Sequence, residues 1–299
     1  MAQASGVEIG VRARRGQTNR LARLARVAQR KPLGSISFLV ILAIVIMAIA
    51  APLVAPHDPN ELRPSARLQA PNTTFLLGTD QVGRDVLSRL IYGARVSIWV
   101  GIMAIVIGTG SGVVIGLVSG FAGGKLDLIV QRVVDAVLAF PGLILALVLV
   151  TVLGPGLEKL FIAVGVSIAP GQSRVVRSAV LSIKENVYVE AGRAVGATNT
   201  RLLLKYLLPN VMPIIIVLAS LLLGAAILIE AGLSFLGLGV QPPTPSWGNM
   251  LSAEGRRYME LAPWMAVFPG ACIMLVVLAF NLFGDMLRDI LDPRLRGSR

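Results

Sequence analysis

The chain has 299 residues, of which 55% are hydrophobic and only 15% charged, and its formal net charge is +12. This composition, with a mean hydropathy of +0.76, excludes an ordinary soluble globular protein. A single cysteine and a single histidine exclude an intrachain disulfide, a cysteine metal cluster and a histidine relay within the chain. We therefore expect an all-α integral membrane protein whose positive charge faces anionic lipid rather than nucleic acid.

The first 33 residues form a basic tail. Leu21, Leu24 and Ala28 recur at helical spacing among arginines, which is typical of an amphipathic helix on an anionic membrane surface. The apolar run that follows continues to Val54, so we favour an uncleaved first span over a secretory signal, although residues 48–50 resemble a cleavage site. A nucleic-acid-binding arm is a further alternative, but no aromatic residues are interleaved with the arginines.

Six apolar stretches are candidate membrane spans, since a helix needs about 20 apolar residues to cross the hydrocarbon. The fourth has a shorter apolar core, and we keep it because otherwise the basic island at 188–210 would lie on the opposite side from the N-terminus. With both termini in the cytoplasm, most lysines and arginines fall inside. The predicted spans are Gly34–Val54, Val96–Val118, Leu128–Leu153, Leu157–Gly171, Val211–Ala231 and Pro263–Phe283.

An extracytoplasmic segment, residues 55–95, follows the first span and should contain an interfacial helix. Asp80 can cap that helix, and its apolar side would carry Val82, Val86 and Leu90. Its polar side, facing headgroups or water, would carry Arg84, Asp85, Ser88 and Arg89. Asp80, Arg84 and Asp85 are candidate gate residues, although a helix with no substrate role explains them equally well.

The second and third predicted spans contain two patterns. Glycines at 108, 112, 116 and 120 share one helix face and predict close helix packing within the subunit rather than a pore lining. In the third span, Arg132 and Asp135 are three residues apart and predict an ion pair on one face. Pro141-Gly142 predicts a kink. Arg132 and Asp135 are candidate translocation or gate residues.

Glu230 is the acid deepest in an apolar span. It is either a pore or gate residue that meets substrate charge or a helix-end carboxylate at headgroup level, and the sequence does not favour one over the other. The Gly- and Pro-rich stretch 231–248 that follows should be a loop or a re-entrant segment. Trp247 and Trp264 would suit the membrane interface.

The polar, basic island at 188–210 predicts a short helix-turn-helix at the membrane surface. Its first helix would press Val187, Ala191, Ala194 and Val195 onto a partner. Gly196 fits the left-handed residue that ends a helix, and the next residues can cap a second one. The apolar stripe of that second helix consists of Leu202, Leu203, Tyr206 and Leu207. Pro209 and Pro213 should break or kink it.

This island resembles the cytoplasmic EAA loop of ABC importer permeases. The pattern of that loop is matched in register by Glu190-Ala191-Gly192, Gly196, Tyr206 and Leu208-Pro209. Gly192 stands where Ala is usual, and Tyr206 stands where an aliphatic residue is usual. An ordinary amphipathic linker at the membrane surface is the alternative. The segments 77–95, 230–248 and 284–294 further resemble the dipeptide, oligopeptide and nickel branch of these permeases.

The resemblance implies a bacterial inner-membrane permease subunit with six spans and cytoplasmic termini. Its core would cover residues 96–299, with the coupling loop at 174–210. It also implies a second permease, two ATP-binding subunits or domains, and an extracytoplasmic binding protein. Peptides are the expected substrate, with nickel or another small solute as the alternative. ATP and Mg would be bound by the ATPase subunits, and the permease itself would have neither cofactor nor metal site.

Other classes of protein fit less well. Residues 119–126 lack a glycine and a Ser/Thr that a Walker A loop requires, so we do not expect this chain to hydrolyse ATP. An ion-gradient secondary transporter would normally show inverted repeats and intramembrane ion ligands. This sequence shows one intramembrane glutamate, Glu230, and no convincing inverted repeat. A DNA-reading helix-turn-helix is disfavoured by the flanking spans. A membrane scaffold that transports nothing does not explain the EAA-like register.

Overall fold

The computed structural model describes residues 31–252 and 257–291, and the regular secondary structure in these ranges is helical. The amphipathic helix expected in the basic tail and the end of the 284–294 segment lie outside the described residues. The helices are α1 Pro32–Ile49, α2 Ala51–Val54, α3 Val86–Ala122, α4 Gly124–Leu138, α5 Gly142–Leu153, α6 Leu157–Ile183, α7 Val187–Ala194, α8 Asn199–Arg201, α9 Leu208–Phe235, α10 Trp247–Met250 and α11 Trp264–Leu291. A 3-10 turn spans Pro64–Ala66, and a π-helical turn, Leu202–Leu207, joins α8 to α9.

Four of the described helical stretches have the length and hydropathy of a membrane span: α1, α3, the continuous stretch Asn199–Phe235, and α11. The pair α4 and α5 would add a fifth, bent by 90° at its break. Helix α6 contains the predicted fourth span and is 27 residues long, but it is not among these stretches. The described helices therefore agree with a multi-pass membrane protein and match the predicted six spans in part.

The glycine face of α3 packs closely against α6, as the spacing predicts. A Cβ on Gly108 would lie 2.7 Å from the carbonyl oxygen of Gly165, and one on Gly112 would lie 2.5 Å from Cβ of Gln172. A Cβ on Gly116 would lie 2.6 Å from the carbonyl oxygen of Ser173. The glycines let the two backbones approach, and this pairing forms the centre of the bundle.

A bulky residue on this face should force α3 and α6 apart. We expect Gly116→Val to destabilise the folded protein by about 1–3 kcal/mol or more, because the nearest obstructing atom, the carbonyl oxygen of Ser173, belongs to the backbone. The measurement is thermal unfolding of the detergent-solubilised protein. Gly110→Val is the matched control, since Gly110 lies on the same helix and a Cβ there would meet nothing within 4 Å. Equal melting temperatures for the two variants would contradict the packing described here.

The predicted kink at Pro141 is a full break between two helices. Pro141 occupies the N-cap position of α5, with ψ 133°, and α4 has already ended at Leu138. The residue before a proline avoids the helical region, so the chain turns here instead of bending gently. The result is a right-angled elbow between α4 and α5.

The interfacial helix begins later than predicted, and Asp80 is not its cap. Asp85 is the N-cap of α3, and its Oδ2 accepts hydrogen bonds from the backbone N–H of Ser88 at 2.9 Å and from the hydroxyl of Ser88 at 2.6 Å. Residues 79–84 form a tight turn instead, with Gly83 at φ +84°, so no helix can start before it.

The expected exposure of Asp85, Ser88 and Arg89 is also wrong, because the segment before them folds over the start of α3. Their relative exposures are 3%, 0% and 3%. The backbone N–H of His57 donates to the Ser88 hydroxyl at 3.0 Å, and Arg89 donates to the carbonyl of Pro59 at 3.0 Å. Periodicity alone could not show that this segment covers the helix it precedes.

Of the two outcomes predicted for Pro209 and Pro213, a break in the helix is wrong. Residues Asn199–Phe235 form one helical stretch in which α8, the π-helical turn and α9 follow without a gap. The backbone N–H of Leu208 donates to the carbonyl of Leu203, five residues earlier. The wider π-helical turn precedes Pro209, which has no N–H to donate and lies in the first turn of α9.

Candidate functional site

Helix α7 is attached to the bundle through one of its sides. Val189 is fully buried in an apolar cluster that also contains Val180 of α6 and Leu202 and Leu207 of the π-helical turn. Gly192 is buried beside it, and a Cβ there would lie 3.1 Å from Cδ2 of Leu202 and 3.3 Å from Cε1 of Tyr206. A small residue at position 192 therefore lets α7 pack directly against the π-helical turn.

The opposite side of α7 is apolar and uncovered. Val187 is 79% exposed and Val195 is 82% exposed, while Ala191 and Ala194 are also exposed. These are the four residues that the helical spacing assigns to a partner-facing side. Glu190 is exposed in the first turn of α7, where its charge is favourable to the helix dipole. The arrangement leaves a short amphipathic helix whose apolar face is not covered by the described part of this chain.

The turn after α7 depends on Gly196, as predicted. Gly196 has φ +79°, and its N–H donates to the carbonyl of Arg193 at 2.9 Å. The N–H of Ala197 donates to the carbonyl of Gly192 at 3.0 Å, which completes a Schellman motif. Thr198 caps α8 with a hydrogen bond from the N–H of Arg201 at 3.4 Å. The turn fixes the angle at which α7 leaves the bundle.

The remaining residues of the EAA-like pattern lie in the π-helical turn and at the start of α9, and Tyr206 among them contacts α7. The ring of Tyr206 stacks on that of Tyr188, with centroids 6.5 Å apart. Leu208 is half-buried and Pro209 is exposed at the start of α9. Across α7, the guanidinium of Arg193 lies 5.8 Å from the ring centroid of Phe121 in α3. Helix α7 is thus connected to α3, α6 and α9.

The predicted ion pair between Arg132 and Asp135 is wrong. Asp135 pairs with Arg174 of α6 instead, and Arg132 is exposed without an ion pair to any described residue. The two acidic groups of α4, Asp127 and Asp135, point at α6, where arginines three residues apart meet them. Both Arg132 and Asp135 line an open cavity of about 410 Å³ beside α4.

Glu230 is fully buried among the helices of this chain. Its relative exposure is 0%, and its Oε1 accepts a hydrogen bond from the hydroxyl of Ser234 at 2.7 Å. Ser234 in turn accepts from the N–H of Val240 at 3.3 Å. Glu230 and Ser234 therefore hold the loop after α9 against the helix from which it emerges. A gate role for Glu230 stays a prediction.

That loop is irregular, as predicted, and Trp247 within it is buried in the chain. Trp247 is 1% exposed, and its indole N–H donates to the carbonyl of Leu90 at 3.0 Å. Its backbone N–H donates to the hydroxyl of Ser97 at 3.3 Å. The next residue is Gly248, and a Cβ on it would lie only 2.5 Å from Cα of Ala231 in α9. Trp247 and Gly248 therefore lie between α3 and α9, and we call residues 236–250 the loop strap.

The candidate gate residues near the N-terminus of α3 make local structural contacts. Oδ1 of Asp80 accepts from the N–H groups of Val82 and Arg84, each at 2.9 Å, and Oδ2 accepts from Nε of Arg84 at 2.6 Å. The cavity beside them is only about 30 Å³, which is room for about one water molecule. Trp264 closes this region, since its indole N–H donates to the carbonyl of Thr79 at 3.1 Å.

Comparison with known proteins defines the class of this membrane protein. Residues 112–297 match the family described as binding-protein-dependent transport system inner membrane component. Residues 22–71 match the N-terminal TM domain of oligopeptide transport permease C. The chain therefore belongs to the inner membrane components of binding-protein-dependent transport systems, which are the permease subunits of ABC transporters.

Individual relatives are similar over most of their length. The dipeptide transport system permease protein DppC of Alkalihalophilus pseudofirmus is 42% identical over 268 residues, covering 90% of this chain and 88% of the relative. The di/tripeptide transport system permease protein DppC of Pseudomonas aeruginosa is 46% identical, covering 89% of each chain. The glutathione transport system permease protein GsiD of Pectobacterium atrosepticum is 40% identical, covering 86% of each.

Proposed function

We propose that this chain is the permease subunit of an ATP-driven importer for short peptides in the bacterial inner membrane. Its similarity to permeases named for dipeptide, di/tripeptide and glutathione transport supports a peptide substrate. The subunit pairs with a second, similar permease, and an extracytoplasmic binding protein delivers the substrate. Two ATP-binding subunits or domains bind ATP and Mg, so the permease does no hydrolysis of its own.

Both termini lie in the cytoplasm and the chain crosses the membrane six times. Helix α1 is the first crossing, α4 and α5 together form the third, and α6 is the fourth despite its polar residues. Residues 1–33 form the cytoplasmic tail, and the extracytoplasmic segment covers residues 55–95. The five-helix core, residues 96–299, then contains the coupling loop at 174–210 on the cytoplasmic side, where the ATPase subunits bind.

Helix α7 is the coupling element. The observation that carries this proposal is that one side of α7 is anchored by Val189 and Gly192 while the apolar side with Val187 and Val195 is exposed. An exposed amphipathic helix of this kind suits a groove on a partner. Closure of the ATPases on ATP would displace α7 as a rigid body, and α6 and α9 would follow to switch access from one side of the membrane to the other.

Three residues are proposed to act in translocation or gating: Arg132, Asp135 and Glu230. Arg132 and Asp135 line an open cavity, which supports a role in translocation for both. Glu230 has no exposed surface within this chain, so a gate role for it requires that the loop strap moves away from α9. Among the coupling residues, Glu190, Ala191 and Gly196 face or shape the docking side, while Gly192, Tyr206, Leu208 and Pro209 support it from behind.

Reconstitution tests the proposal. The tagged chain is co-expressed with the products of its neighbouring genes, purified in detergent and inserted into liposomes. We expect a second permease and ATPase chains to copurify, and labelled dipeptide to enter only with ATP and binding protein. A chain that purifies alone and moves solute along an ion gradient would contradict the proposal.

A further inference from the structure

Helix α4 is held to the rest of the bundle by unusually few apolar contacts. Of its 15 residues only Asp127 and Val134 are buried. Its large apolar side chains face outward, since Leu128, Ile129 and Val133 are 61%, 63% and 60% exposed. Apolar packing therefore gives α4 little attachment to this chain, and its polar contacts take on more of that task.

Two ion pairs to α6 are the charged part of those polar contacts, and Gln131 of α4 also donates to the hydroxyl of Ser119 in α3 at 3.3 Å. Oδ1 of Asp127 accepts from Nε of Arg177 at 2.6 Å, and Oδ2 accepts from the terminal Nη2 of the same guanidinium at 2.6 Å. Two parallel hydrogen bonds of this kind fix the direction as well as the distance between two helices. Asp135 and Arg174 form the second pair further along α4, and it is more exposed.

The ion pairs lie close to the coupling helix. Arg177 is in the last two turns of α6, which ends at Ile183, and α7 begins at Val187. Lys184 in the connection donates to the carbonyl of Gly120 at 3.0 Å, near the end of α3. Helix α4 starts four residues after Gly120. A displacement of α7 therefore acts first on the end of α6 that holds α4.

The elbow after α4 can pass a movement of this helix on to the next one. It ends at the right-angled elbow before Pro141, and the cavity of about 410 Å³ beside Asp127 and Asp135 leaves space for it to move. The elbow joins α4 to α5, which packs against α6. Movement of α4 would thus change the angle at the elbow and with it the position of a membrane-crossing segment.

We propose that Asp127 and Arg177, assisted by Asp135 and Arg174, are positioning residues that transmit movement of α7 and α6 to α4 and the elbow at Pro141. The inference rests on the proposed function, because it requires that ATPase subunits displace α7. The Asp127–Arg177 pair carries most of the effect, because its side chains are 12% and 30% exposed, whereas those of Asp135 and Arg174 are 44% and 52% exposed and better screened by water.

The test compares uptake with ATP hydrolysis in the reconstituted complex. Asp127→Asn and Arg177→Gln should each lower the dipeptide taken up per ATP hydrolysed by about tenfold, as expected for loss of a coupling contact. Copurification of the ATPase chains and their hydrolysis rate should stay near wild type. Lys125→Gln, which removes an exposed charge from the same helix, is the matched control and should transport normally.

Two double variants separate transmission of movement from a purely structural role. Asp127→Asn with Arg177→Gln leaves no uncompensated buried charge, so it should regain stability but not uptake per ATP. Exchange of the charges, Asp127→Arg with Arg177→Asp, rebuilds the ion pair and should recover at least about half of the uptake per ATP that the single variants lose. Full recovery by the neutral double variant, or none by the exchanged one, would overturn the inference.

The outcomes also separate this inference from the proposed function. If wild-type protein fails to copurify with ATPase chains, the proposed function fails and the inference fails with it. If wild-type protein copurifies and transports, and Asp127→Asn transports as well per ATP as Lys125→Gln, the inference alone is overturned.

Discussion

Replacing Gly196 with valine should abolish most transport while leaving the protein inserted in the membrane. Gly196 has φ +79°, a conformation that costs an L residue about 1–2 kcal/mol and a β-branched residue more. A Cβ there would meet nothing within 4 Å, so the effect comes from the backbone and not from a clash. The Schellman turn would reorganise, and the exposed face of α7 would point in a new direction. We expect ATP-dependent dipeptide uptake to fall about tenfold or more.

Gly196→Asn is the control for this prediction, because asparagine tolerates the left-handed conformation far better than valine. It should keep most of the uptake and bind the ATPase chains as wild type does. Yield and melting temperature in detergent should be similar for both variants, since α7 lies at the edge of the fold. Normal uptake by a stable Gly196→Val protein would show that the angle of α7 is unimportant.

Replacing Glu230 with leucine should release the loop strap. The change removes the acceptor of the Ser234 hydroxyl in a fully buried site, and an unpaired buried hydroxyl costs about 1–3 kcal/mol. Ser234 also accepts from the N–H of Val240, so a Ser234 hydroxyl that rotates to a new acceptor weakens the attachment of the strap to α9. We expect faster cleavage of residues 236–246 by added protease and a large loss of dipeptide uptake.

Glu230→Gln is the matched control, because its amide oxygen can still accept the hydrogen bond from Ser234. Strap cleavage should then stay close to that of wild type. If Glu230→Leu and wild type are cleaved at the same rate, the hydrogen bonds of Glu230 do not hold the strap. If Glu230→Gln retains the strap but loses uptake, the carboxyl group itself acts in translocation, as the gate interpretation requires.

Local patterns in the sequence predicted much of the fold. The four-residue spacing of glycines in α3 predicted its close contact with α6, and Pro141 predicted the position of the elbow. Gly196 predicted the left-handed turn after α7. In each case the signal is local, because glycine permits a positive φ or a close backbone approach and proline restricts the backbone where it stands. The exposed apolar side of α7 was predicted on the same basis, by helical spacing.

Contacts between distant parts of the chain were not predictable in this way. Arg132 is three residues from Asp135, but the partner of Asp135 is Arg174, on another helix. Tryptophan is a residue type common at membrane interfaces, yet Trp247 is buried against Leu90 and Ser97 of α3. The bidentate pair of Asp127 and Arg177 joins residues 50 positions apart. Spacing along one helix cannot show which helix lies opposite.

Site-directed cross-linking tests most directly whether α7 is the surface that binds the ATPase. The only cysteine of the chain, Cys272, is first replaced by alanine. Val195→Cys then places a thiol on the exposed side, where the residue is 82% exposed, and Val189→Cys places one on the buried side, at 0%. In the assembled complex, a short thiol-to-amine cross-linker should join the ATPase chain to the cysteine at position 195 and not to that at position 189. Cross-linking from neither position in an active complex would contradict the account, because the ATPase would then bind elsewhere.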